Sequence, residues 1–267
     1  QPTDNAFINS QGITISISEN LNEGKLVLAS VAGVKDENSP HELVLIEELR
    51  KIGTIDNKIF EEFKWVDGST YNLSFDGVDF AGNIADQILI KNITYDITDP
   101  IIIIDNINNN GYINTNTISY TLSEPLANST LKITRTGGVE DENSPQSILL
   151  SANELRKGSY ENVILANQPK LANGSIYTFE LTGQDYASNN AKTIAIENIA
   201  FDNQSPEISI SRPIDAEQIK STVVSFSSTE NLETATVVFI QTSGTVDVNS
   251  PHKVSLSGKE LQKGVHS

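Results

Sequence analysis

The sequence predicts an all-β chain of tandem seven-stranded β-sandwiches. Three observations carry that prediction: a repeat of about 106 residues, short strand patterns parted by turn residues, and a composition rich in β-branched Ile, Val and Thr. The repeat is the strongest of the three. Gly33-Val34-Lys35-Asp36-Glu37-Asn38-Ser39-Pro40 recurs as Gly138-Val139-Glu140-Asp141-Glu142-Asn143-Ser144-Pro145 and as Gly244-Thr245-Val246-Asp247-Val248-Asn249-Ser250-Pro251, with the prolines 105 and 106 residues apart. Leu49, Leu155 and Leu261 keep the step of 106, as do the pairs Tyr71 and Tyr177, Asp79 and Asp185, Asn83 and Asn189, Asp96 and Asp202, and Pro100 and Pro206. Such a period is too long for a solenoid coil or propeller blade and matches a sandwich of about 100 residues.

The repeat phase sets the expected domains: 1–100, lacking its first strand; 101–206, complete; and 207–267, truncated. The apolar run Ile101–Ile104 has no counterpart in the first copy, and the third stops about halfway, which reads as a fragment of a longer protein. In the complete copy seven strands are expected: A at Ile101–Asp105, B at Thr117–Ser123, C at Thr130–Thr136, D at Ser147–Ser151, E at Asn162–Ala166, F at Ile176–Gly183 and G at Lys192–Phe201. In F, Tyr177, Phe179 and Leu181 alternate with Thr178, Glu180 and Thr182, which puts the first three on a core face.

Composition narrows function. The formal charge of −17 repels phosphate backbones and anionic membranes, so no nucleic-acid partner is expected. Without Cys or Met there are no disulfides, thiolate sites or cysteine nucleophiles. No apolar run reaches the ~20 residues of a membrane span, so no membrane insertion is expected in this segment. His41 and His252 follow the repeated proline, but the middle copy has Gln146 there, so both are expected on the surface with no catalytic role. With no nucleophile elbow, phosphate loop or zinc-protease motif, the chain is expected not to be an enzyme.

Leu171-Ala172-Asn173-Gly174-Ser175-Ile176-Tyr177 and Trp65-Val66-Asp67-Gly68-Ser69-Thr70-Tyr71 resemble the tyrosine corner of fibronectin type III and related sandwiches. Together with Asp79-Phe80-Ala81-Gly82-Asn83, Asp185-Tyr186-Ala187-Ser188-Asn189 and Tyr95-Asp96-Ile97-Thr98-Asp99-Pro100, the chain resembles the tandem bacterial Ig-like repeats of large surface proteins and adhesins. That resemblance implies seven-stranded immunoglobulin-like β-sandwiches and a corner role for Tyr71 and Tyr177. It also implies a secreted, cell-surface location and structural work as stalk, adhesin, surface-layer or filament component. The implied partners are neighbouring Ig-like domains of the same or adjacent chains, and glycans or surface proteins. The alternative function is a carbohydrate-binding or accessory region of a secreted hydrolase.

One site is expected from the recurring acids. The B–C and F–G loops of a sandwich face the linker arriving from the preceding domain. Glu124 ends strand B, with Glu19 and Glu230 as copies. Asp185 opens the F–G turn, with Asp79 as its copy, and the linker brings Asp96, Asp99 and Asp105. Clustered carboxylates call for a hard cation, so Ca²⁺ is expected at the first junction on Asp96, Asp99, Glu124 and Asp185, and at the second on Asp202 and Glu230. The same Asp and Asn residues also suit turn capping by side chain to backbone bonds, without a metal.

Overall fold

The computed structural model covers residues Gln1–Ser267 and contains strands and two short 3₁₀ turns, with no α-helix. The chain divides into two compact units, Gln1–Asp202 and Asn203–Ser267. Within the first unit, repeat one carries β1 (Phe7–Ile8), β2 (Ile13–Ile17), β3 (Leu21–Gly33), β4 (His41–Val44), β5 (Gly53–Lys58), β6 (Ser69–Asp79) and β7 (Ile88–Tyr95). Repeat two carries β8 (Ile102–Ile104), β9 (Tyr112–Ile113), β10 (Ile118–Leu122), β11 (Asn128–Gly138), β12 (Gln146–Leu149), β13 (Gly158–Val163), β14 (Ser175–Gln184) and β15 (Ile194–Phe201).

Repeat two forms two sheets, ordered β13-β10-β8 and β12-β11-β14-β15-β9. Alternation along β14 buries Tyr177, Phe179 and Leu181, and the β11 register sets Leu131 opposite Leu181 and Ile133 opposite Phe179. These residues line one face of the five-stranded sheet and share a core with Ile102, Tyr120 and Leu122 of the other sheet, each fully buried Leu, Ile or Phe contributing about 1.5–3 kcal/mol. The two repeats hold separate cores, one including Ile13, Leu26, Leu28, Phe63, Trp65 and Tyr71, the other Tyr120, Leu131, Ile133, Tyr177 and Ile199. Trp65 lies edge-on to Tyr71, ring centroids 5.0 Å apart, as a core residue.

Two expectations are corrected, the bounds of strand E and the number of strands. The fourth strand, β12, pairs with β11 and so lies on the C–F–G sheet. Strand E starts at Gly158 and ends at Val163, earlier than expected, because Tyr160 stacks on Tyr120 at 4.6 Å across the β10–β13 ladder. An eighth strand, β9, pairs parallel with β15. Repeat one carries the equivalent of β9 as β1, parallel to β7, and β2 pairs with β5 alone.

The second unit pairs β16 (Ile208–Arg212), β17 (Ser225–Ser228) and β20 (Gly264–His266) in one sheet, and β18 (Thr236–Phe239) with β19 (His252–Ser255) in another. Segments equivalent to β14 and β15 are not among the 267 residues. Phe226 is consequently its only buried large apolar side chain.

The repeated octapeptide is a turn that locks strand F. In every copy its Asp carboxylate accepts a backbone N–H two residues on: Asn38 to Asp36 at 3.0 Å, Asn143 to Asp141 at 2.9 Å and Asn249 to Asp247 at 2.9 Å. Its Ser hydroxyl accepts a backbone N–H nine residues back, from Ser30, Arg135 or Gln241, at 2.7, 2.7 and 2.9 Å. Its leading glycine has positive φ in all three copies, and a Cβ on Gly138 would stand 2.2 Å from the Gly174 carbonyl. Replacing Ser144 by Ala removes one such bond, and chemical denaturation should show a loss of about 1 kcal/mol.

The tyrosine corner forms as expected. Val66 N–H donates to the Tyr71 hydroxyl at 2.9 Å, and Ala172 N–H donates to that of Tyr177 at 2.8 Å. The phenols then donate to Asp36 Oδ2 at 2.9 Å and Asp141 Oδ2 at 2.7 Å, a link the sequence did not suggest. His41, expected on the surface, is buried with Nε2 2.6 Å from Asp36 Oδ2, whereas the similar His252–Asp247 pair is half-exposed. Burial pushes Asp36 and Asp141 upward, but the hydrogen bonds they accept outweigh it and hold both below the usual carboxylate value.

Candidate metal centre at the first domain junction

Three elements deliver three carboxylates to one place. Glu124 follows β10, where Pro125 turns the chain away; Asp185 opens the turn after β14; Asp96 follows β7 in the linker. One oxygen from each lies within 4.8 Å of the others.

Each group is held by its own local bonds. Asp185 is clamped by Asn189, whose N–H donates to Oδ1 and whose Nδ2 donates to Oδ2, both at 2.8 Å. Asp79 and Asn83 repeat that clamp at 2.7 Å each. Ser188 stands where repeat one has Gly82, yet both are left-handed, at φ +74 and +89, so the two turns share their shape. Asp96 donates its N–H to Ile8 O at 2.9 Å and accepts Thr98 N–H at 3.1 Å. Asp67, in the corner turn before β6, accepts Ile97 N–H at 2.8 Å and the Thr98 hydroxyl at 2.6 Å, which fixes the linker.

The repeats are also latched directly. Asn189 Nδ2 donates to the Asp96 carbonyl at 2.9 Å and Asn9 Nδ2 to Asn189 Oδ1 at 3.1 Å, while the Phe7 and Tyr186 rings lie 5.5 Å apart. Ile101 N–H donates to the Ser123 hydroxyl at 2.8 Å beside Glu124.

The site's electrostatics are unfavourable without a positive charge. Burial first, then the neighbouring Asp185 and Asp67, raise Asp96 above the usual carboxylate value despite the Thr98 N–H. Burial, then Asp96 and Asp185, raise Glu124, and Lys157 offsets this only in part. A cation would relieve that repulsion. Ca²⁺ binds oxygens at 2.3–2.6 Å, so ligands on opposite sides of one ion stand about 5 Å apart, and the 4.8 Å spread falls within that span. Used in bidentate fashion, three carboxylates supply up to about six of the 6–8 oxygens the ion takes. The residues present therefore fit a calcium-sized cation.

Of the other expected ligands, Asp99 is exposed and stands outside the group, and Asp105 accepts the Thr121 hydroxyl at 3.1 Å at the end of β8. Neither belongs to the group of three carboxylates. Glu19 and Asp79 occupy the corresponding loops of repeat one with no third carboxylate beside them. Asp202 closes the first unit, its N–H donating to Ile113 O at 2.9 Å just as Asp96 does to Ile8, while Glu230 belongs to the second unit. Asp67, Asn189 and Lys157 were not foreseen. Asp67 escaped because its copy is Asn173, so a search for recurring acids passes over it.

No family model matches the chain. No curated protein matches it either. Among solved structures, the crystal structure of the FN1–FN3 domains of chicken CNTN1 is similar at 13% identity, covering 74% of this chain and 67% of that one with a TM-score of 0.32. The strand pairing of the chain itself defines it as an all-β protein of tandem sandwiches. No helix is long and apolar enough to cross a membrane.

Proposed function

We propose that this chain is a non-enzymatic, extracellular structural array, a stalk, adhesin or surface-layer and filament component, whose domain junctions are stiffened by Ca²⁺. The observation that carries the proposal is the convergence of Asp96 from repeat one with Glu124 and Asp185 from repeat two. Linker and loops from two separately cored sandwiches meet at that point, so a bound ion ties the domains together. Its effect is mechanical: a charged seam that would open by self-repulsion becomes a fixed joint.

Extracellular modules bind calcium at about 10⁻⁴–10⁻³ M. At a hundredfold excess over that constant, binding adds about 2.7 kcal/mol. Differential scanning calorimetry should accordingly show the first unit melting several degrees higher in calcium than in chelator, and Glu124→Gln should remove most of the difference. Equal midpoints in both buffers for the unaltered chain would defeat the calcium reading.

A further inference from the structure

The linker between repeats one and two contains the one Asp–Pro bond of the sequence, Asp99–Pro100; the second linker has Ser205-Pro206 in its place. This bond lies clear of both folds. Strand β7 ends at Tyr95 and β8 begins at Ile102, so every residue of the first core precedes it and every residue of the second follows it. The chain is pinned on either side, by Asp67 accepting the Ile97 N–H and the Thr98 hydroxyl, and by the Ser123 hydroxyl accepting the Ile101 N–H. Between those anchors Asp99 is exposed, and its carboxylate makes no hydrogen bond or ion pair. The carboxylates of Asp67, Asp79, Asp141 and Asp185 are all occupied in turns.

We infer that the chain cleaves itself at Asp99–Pro100 in mild acid, with the Asp99 carboxyl as the nucleophile. A carboxyl oxygen attacks the carbonyl carbon of its own residue and closes a five-membered ring. The bond from that carbon to the Pro100 nitrogen breaks, and the nitrogen leaves as a secondary amine that takes the carboxyl proton. Asp99 is left as a cyclic anhydride, which one water opens to the free diacid, so nothing is oxidised or reduced and water is the sole co-reactant. Proline favours the step because its nitrogen bears two alkyl groups beside the acyl carbon and is more basic than an ordinary peptide nitrogen. A carboxyl on the same residue as the carbonyl attacks at high effective concentration. An Asp bound in a turn would first have to give up its partners, and Asp99 has none to give up.

The cut severs no strand and leaves each core whole. What remains across the joint is the direct latch: Asn189 on the Asp96 carbonyl, Asn9 on Asn189, and the Phe7 ring against Tyr186. A covalent joint thus becomes a releasable one.

Intact-protein mass spectrometry of the full 267-residue chain, held at about pH 4.5, where carboxyl groups in general are partly protonated, tests the proposal. Fragments 1–99 and 100–267 should accumulate at a rate independent of protein concentration and faster than at neutral pH. Asp99→Asn, at an exposed position without partners, keeps the fold and should slow cleavage at least about tenfold by removing the internal nucleophile. Asp99→Glu keeps the charge but lengthens the arm, and should slow it as well. With methoxyamine present, fragment 1–99 should carry a methoxyamide on Asp99, the product of a captured anhydride; an acid protease, which delivers water directly, would leave only the free acid. A chain that stays intact, one that is cut only after unfolding in urea, or cleavage as fast in Asp99→Asn as in the unaltered chain would overturn the inference.

Discussion

Replacing Tyr177 by Phe should cost the first unit about 3 kcal/mol, and the same change at Tyr71 distinctly less. Each hydroxyl does two jobs in a fully buried position, accepting a backbone N–H at the corner turn and donating to the carboxylate of the repeated loop. Removing it leaves the Ala172 or Val66 N–H without its acceptor. The carboxylates then differ. Asp141 keeps Asn143 on Oδ1 but loses the Tyr177 donor from Oδ2, whereas Asp36 Oδ2 still has His41 at 2.6 Å. A buried charged oxygen without a donor is the larger penalty, so repeat two should suffer more. Urea denaturation of the two variants measures this directly. Equal losses, or a greater loss from Tyr71→Phe, would mean that His41 does not support Asp36.

Much of this architecture was readable in the sequence because it repeats. A step of 106 fixed which residues are equivalent, period-two alternation fixed the buried face of β14, and the Gly–Tyr spacing fixed the corner. Convergence of Asp96, Glu124 and Asp185 followed from knowing which loops share one end of a sandwich. What stayed hidden has no local signature. The two-residue strands β1 and β9 hold their places by parallel pairing with strands more than 80 residues away. The sheet that β12 joins is decided by its ladder with β11, and its four residues would suit either neighbour. His41 looked dispensable because Gln146 replaces it. That Gln instead bonds the Lys170 backbone through Nε2 to O at 2.6 Å and Oε1 from N at 2.9 Å, a different solution at the same position.

Acidification should act on this molecule with two opposite signs. In chelator, Asp96 and Glu124 have folded pKa values raised above 3.8 and 4.5, so the folded state holds protons that the unfolded chain releases. Stability from this source is small at neutral pH, rises as pH falls through the raised values, and is fully present below about 4. Asp36 and Asp141 behave in reverse. Their folded values lie below 3.8, so the stability they confer is present above that pH and is lost as pH falls through the folded values. The melting temperature in chelator should therefore climb from pH 7 to about 4.5 and fall below about 3.8. Some of the climb comes from neutralising a chain of charge −17, so the diagnostic is Glu124→Gln, which should flatten the rising limb beyond that general effect. In calcium the rising limb should invert, because protons then compete with the ion for the same oxygens. Melting curves that fall steadily with acid in both buffers, or a rising limb that Glu124→Gln leaves unchanged, would show that the junction carboxylates are not the groups that respond.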